Sequence, residues 1–151
     1  MGQDDLLARV QRNGRLYGPN ESRRAICAVV DVLGELLPEP AYRRLVASLP
    51  ADIRQRLPWT GAGRFLPVAG VRAFVARLVD RLHTDGPDAA FLARVVLTQL
   101  NADGYGPAAL APLVPADLRP LLRAGAPVIA ATVPAVRRVG AAKQGVARTV
   151  R

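Results

Sequence analysis

Few side chains in this sequence could do chemistry, and their spacing does not bring them together. His83 is the single histidine and stands before Thr84, Asp85 and Gly86. That setting suits the carboxyl end of a helix, where an imidazolium is modestly favoured. With no second ligand or nucleophile at a matching spacing, His83 reads as structural and no triad is visible. Cys27, the single cysteine, lies in an Ala/Val/Ile run. A reactive thiol needs an electropositive, accessible setting, and although Arg23 and Arg24 are near in sequence, the run predicts a packed, inert thiol. One cysteine also excludes an intramolecular disulfide and a multi-thiolate metal site.

Asp31 and Glu35 are spaced to share a helix face and could form an acid–base pair. Their face also carries Arg24 and Ala28 and lies opposite an apolar stripe, so it predicts a solvated surface with ordinary acidity. Gly61-Ala62-Gly63 begins like a dinucleotide loop, but Leu66 stands where the third glycine belongs and no strand precedes it. It reads as a linker. Tyr17, Tyr42, Tyr105 and Trp59 are scattered and offer no base-stacking platform; Trp59 is expected to pin the linker against the first half. These residues predict no catalytic, cofactor-binding or metal-binding site, and a protein that is not an enzyme.

The elements that would position these side chains are helical throughout. Leu6, Leu7 and Val10 line one side of a short helix over 4–12, closed by Gly14, Gly18 and Pro19. Ile26, Val29, Val30, Leu33 and Leu37 recur at helix spacing over 20–37, with Asn20 the expected cap and Pro38 the stop. A third helix over 39–48 turns Tyr42, Leu45 and Val46 inward, and Pro50 opens a short fourth with Asp52 at its positive end. Residues 58–70, with Pro58, Gly61, Gly63, Pro67 and Gly70, read as a connection. A helix from near Ala69 to His83 follows, and then one from Pro87 to Leu100. The latter is apolar on more than one face through Phe91, Leu92, Val95, Val96, Leu97 and Leu100, and is expected to lie centrally.

The second half retraces the first. Leu49-Pro50-Ala51-Asp52-Ile53-Arg54 returns as Val114-Pro115-Ala116-Asp117-Leu118-Arg119, and Phe74-Val75-Ala76-Arg77-Leu78 parallels Leu6-Leu7-Ala8-Arg9-Val10. An internal repeat of this kind fixes architecture before activity. The expected fold is all-α: a compact helical bundle of two pseudo-repeats of about four helices each, over about 3–57 and 71–123. Neither half is more than marginally stable alone, so the two are expected to bury their apolar faces against each other. A groove between them, if the fold leaves one, would raise the odds of a small-molecule ligand.

The run Arg24-Ala25-Ile26-Cys27-Ala28-Val29-Val30-Asp31-Val32-Leu33, then Leu45, the Leu49 to Arg54 segment and Trp59, resembles the bacterial domain-of-unknown-function family numbered 2267. The resemblance covers roughly residues 3–123. It implies a small all-helical protein with no assigned catalytic residue. Pro120 departs from the pattern, and the segment from Ala124 onward lies outside it.

Charge separates that segment from the rest. The net charge of +9 divides into +3 over the first 122 residues and +6 from Arg123 to the end, where Arg123, Arg137, Arg138, Lys143, Arg148 and Arg151 meet no acid. The basic tail over 124–151 is expected to be flexible or marginally helical. If helical it would be amphipathic, with Gly140 and Gly145 each costing roughly 1 kcal/mol. Its apolar face of Val and Ala is poor for a membrane surface. The expected function is a non-enzymatic helical interaction module whose tail, through these six cations, engages an acidic protein surface. Sequence-nonspecific nucleic-acid association through the same cations is the alternative, and an anionic membrane surface ranks below both. Asp4 and Asp5 stand where a secretory signal would carry basic residues, and no apolar run reaches the roughly 18 residues of a spanning helix, so a cytoplasmic location is expected.

Overall fold

The computed structural model describes residues 3–57 and 70–126, and every regular element among them is helical. The chain runs through α1 (Gln3–Gly14), α2 (Pro19–Leu36), α3 (Glu39–Ser48), α4 (Ala51–Arg56), α5 (Val71–Leu82) and α6 (Gly86–Ala102). A 3-10 helix over Pro107–Leu113 and a 3-10 turn over Ala116–Leu118 then lead into the short α7 (Arg119–Leu122). Trp59, Gly61, Gly63 and Leu66 lie outside the described residues, as does the tail from residue 127 on.

Proline sets most helix starts. Pro19 takes the first turn of α2, where a missing N–H is harmless, so the capping position falls on Gly18 and not on Asn20 as expected. Asn20 Oδ1 instead accepts from Arg23 Nη1 at 2.7 Å. Pro50 and Pro115 both stand immediately before short helical segments. The segment after α6 is not an α-helix: it is the 3-10 helix Pro107–Leu113, with Pro112 inside it. The Pro112 ring would clash with the carbonyl four residues back in an α-helix.

The core is continuous. Leu6 and Val10 of α1, Ile26, Val29 and Leu33 of α2, Phe74 and Leu78 of α5, and Val96, Leu97 and Leu100 of α6 are all fully buried. Each such side chain contributes roughly 1.5–3 kcal/mol relative to exposure, so this set outweighs any surface contact. Both α2 and α6 pack against α1 and α5 and against each other. Phe91, expected on an apolar face, is instead 45% exposed. Where α2 crosses α3, a Cβ on Gly34 would come within 2.9 Å of the Tyr42 ring, so a glycine is what lets the two helices approach.

The face of α2 expected to be solvated is largely closed. Arg24 is exposed, but Glu35 retains only 2% of its surface and Asp31 is half-buried. Arg77 and Arg81 of α5 account for this. Arg77 Nη1 donates to Glu35 Oε1 at 2.7 Å, Arg81 Nε donates to Asp31 Oδ2 at 2.7 Å, and Arg81 Nη2 donates to Glu35 Oε2. Burial works against the Arg81 charge, but its bonds to Asp31 and Glu35 outweigh this and raise its pKa. Matched i, i+4 pairs of opposite sign thus turn the α2–α5 contact into an ion-paired seam.

Other polar side chains also tie helices together. Ser22 Oγ donates to the Leu7 carbonyl at 2.7 Å, buried between α2 and α1. Arg9 of α1 meets Asp103 at the end of α6 at 2.7 Å. Buried Asn101 donates to the carbonyls of Leu122 and Ala124, each at 2.7 Å, and accepts from the Ala108 amide at 2.9 Å. That one side chain fixes three separate points of the carboxyl-terminal segment.

Candidate functional site

The turns that end α1 and α5 face one another across a cleft of about 730 Å³. Arg15, Tyr17, Glu21 and Arg24 line it from the α1–α2 side, and His83, Thr84, Asp88 and Phe91 from the α5–α6 side. Leu16, Ala25, Leu82 and Leu92 add apolar lining. Tyr17 is 94% exposed, which leaves one aromatic ring uncovered at the rim beside the partly exposed Phe91.

The backbone here is unusual. Arg15 (φ 57) and His83 (φ 53) are left-handed, and no other non-glycine residue among those described has positive φ. A left-handed side-chain-bearing residue costs roughly 1–2 kcal/mol, because its Cβ crowds the next carbonyl oxygen. Such a residue ends a helix by turning the chain sharply. His83 does this for α5, its amide donating to Val79 O at 2.9 Å. The Leu16 amide closes α1 by donating to Gln11 O at 2.9 Å.

Polar groups on the α5–α6 side are partly engaged. Asp85 caps α6 by accepting from the Asp88 amide at 2.8 Å, and Thr84 Oγ1 lies 3.4 Å from Asp88 Oδ2. Glu21 and Asp88 both occupy first turns of helices, where the dipole favours negative charge. Neither Arg15 nor Arg24 forms an ion pair with another described residue.

His83 therefore stands at a helix end, as its sequence setting indicates, and also lines the cleft. Cys27 is half-buried and does not line it. Burial pushes the Cys27 thiol up to about 11 from an ordinary 9.0; Arg56 and Arg23 pull the other way without overcoming it. A thiol so held is almost entirely protonated near neutrality and is a poor nucleophile. Asp31 and Glu35 are spent on Arg77 and Arg81. Asp52 receives bonds from Arg23 Nε and Arg56 Nε, and the Arg23 bond is the main cause that lowers its pKa. No group of three or more His, Cys, Asp or Glu side chains that could hold a metal ion occurs among the described residues.

Of the six tail cations, Arg123 is described and exposed, just past α7, with its amide on Arg119 O at 3.1 Å. Arg137, Arg138, Lys143, Arg148 and Arg151 lie outside the described residues. No helix among the described residues is long and apolar enough to cross a membrane. Sequence reasoning missed Arg15, Tyr17 and Arg24 as neighbours of His83. The available signal was that Arg15 follows Val10 by five residues, as His83 follows Leu78.

The chain matches the model of the family described as "Uncharacterized conserved protein (DUF2267)" over residues 3–121, and it belongs to that family. The match stops short of Arg123 and of the tail. No curated protein matches the chain.

Proposed function

We propose that this protein is a non-enzymatic helical interaction module, with a two-repeat body over residues 1–123 and a basic tail over 124–151 that engages an acidic protein surface. The observation that carries this reading is the distribution of charge. In the body, Asp31, Glu35, Asp52 and Asp103 are each paired with an arginine of another helix. From Arg123 onward six cations meet no acid along the chain. A body of +3 whose buried acids are paired, carrying an arm of +6 with no acid, directs most of the long-range attraction through the arm.

Reciprocal pairing supports the two-repeat reading. Arg9 and Arg77 occupy matching positions in the parallel runs at Leu6 and Phe74. Each reaches the long helix of the other half, Arg9 to Asp103 beyond α6 and Arg77 to Glu35 near the end of α2. The two Pro-Ala-Asp segments each open a short helical segment, and their acids are used differently: Asp52 meets Arg23, while Asp117 Oδ2 accepts from the Val71 amide at 3.1 Å.

The test compares the full chain with a version lacking residues 127–151, which removes five of the six cations and keeps the Ala124 carbonyl that Asn101 binds, as baits in the native cell. Partners that depend on the tail, and that are released as salt rises, support the reading. The same proteins recovered with both versions would move the interaction to the body. Binding to a short DNA duplex that falls with salt at a slope of up to about five, near 0.9 per neutralised phosphate, would replace the acidic protein with nucleic acid.

A further inference from the structure

We propose that the cleft between the α1–α2 and α5–α6 turns is a binding site for a small aromatic anion, a planar ring bearing a carboxylate or phosphate group. Its volume of about 730 Å³ accommodates a ring with substituents and falls within the usual size of small-molecule sites. The site belongs to the helical body and does not depend on the tail.

The first argument is where glycine is used and where it is not. Gly104 (φ 87), Gly106 (φ 83) and Gly125 (φ 76) take positive φ outside the cleft, whereas inside it the same kind of turn is given to Arg15 and His83. Gly14 is one residue away from Arg15, so a glycine was within reach of that turn. Strain accepted on two facing side chains, when glycine would relieve it, marks positions kept for what the side chains do. The second argument is exposure: Tyr17 at 94% and Phe91 at 45% present uncovered aromatic surface that a flat ligand would bury.

The third argument is charge. Glu21 and Asp88 line the cleft too, but both sit in first helical turns that offset negative charge, and Asp88 is also within reach of Thr84 Oγ1. The Arg15 and Arg24 guanidinium groups have no carboxylate among the described residues. Glu21 has no ion pair among the described residues either, so the preference for an anion rests on the helix dipoles that offset the two carboxylates and on the arginines, since a planar guanidinium pairs two-pronged with carboxylate or phosphate.

The test is an amide NMR titration of the full chain with phenyl phosphate and with benzoate. Benzamide, benzylamine and inorganic phosphate serve as the neutral, cationic and ringless comparators. We expect saturable shifts at Arg15, Tyr17, Arg24, His83 and Thr84 with at least one aromatic anion, and binding at least about tenfold weaker for all three comparators. The stronger of phenyl phosphate and benzoate identifies the anionic group. Arg15→Gly, which suits the left-handed backbone, and Arg24→Gln should each weaken binding by about tenfold or more, as loss of a charge-assisted bond does. Benzamide or benzylamine binding as tightly as the anions would overturn the proposal. So would undiminished binding by both variants, or no saturable shift in the cleft with either anion up to roughly 10 mM.

Discussion

The α2–α5 seam and the cleft put the same side-chain chemistry to opposite uses. On the seam, Arg77 and Arg81, one turn apart, meet Asp31 and Glu35, also one turn apart, and Glu35 is left 2% exposed. In the cleft, Arg15 and Arg24 stand beside uncovered aromatic rings with no carboxylate partner among the described residues. Closed pairs fix which turn of one helix lies against which turn of the next; open arginines hold no helices together. An arginine count therefore says little about binding in this molecule until each residue is placed.

The difference can be broken most sharply at Glu35. Glu35→Ala should leave two partly buried guanidinium groups without their shared carboxylate and cost about 3 kcal/mol in a denaturant titration. A loss below about 1 kcal/mol would make the seam no stronger than an ordinary surface pair.

Cys27 reports on the boundary between the two regions, since it lies three residues after Arg24 and four before Asp31 on α2. With its thiol pushed up to about 11 from 9.0, its thiolate fraction at pH 8 should be about a hundredfold below that of free cysteine. Alkylation by iodoacetamide in the folded protein should slow by a similar factor. A rate within a few-fold of the free thiol would place Cys27 in an open environment. The sign of the linkage follows from the upward shift: the unfolded chain loses this proton first, so the contribution to stability is whole below pH 9 and is lost as pH rises toward 11.

Smaller effects are expected in the cleft. Arg15→Gly should raise stability by up to about 1 kcal/mol, because glycine accepts the left-handed turn but gives back part of the gain as unfolded-state entropy. A lower melting temperature would show that the Arg15 side chain holds the turn itself. Arg24→Ala should change stability by no more than about 0.5 kcal/mol. A larger loss would mean that Arg24 packs as a structural residue and would erase the distinction from the seam.

Local signals are legible in the sequence, and pairings across the fold are not. Ile26, Val29, Val30 and Leu33 mark the buried stripe of α2 because helix periodicity is a property of neighbours along the chain. Asp31 and Glu35 looked solvated because the groups that cover them, Arg77 and Arg81, are more than forty residues away. A signal for that pairing was present: two acids and two arginines, each pair at i, i+4 spacing. The turn at Arg15 was expected near Gly14, but nothing local announced that an arginine would take the left-handed position. The setting of His83 marks a helix end; that it shares a cleft with Arg15 depends on how α5 and α6 pack against α1 and α2. Nothing local marks Asn101, since its three partners lie seven to twenty-three residues further on.

The bracket made by Asn101 also defines where the chain can be cut. A fragment ending at residue 121 would keep the whole matched region and α1 to α6, yet it would lack the Leu122 and Ala124 carbonyls that receive both amide protons of Asn101. A buried amide stripped of its acceptors bears the full desolvation penalty. The natural truncation point is therefore set by a hydrogen bond and not by the extent of the match, and a version of the body designed for expression should run through Ala126.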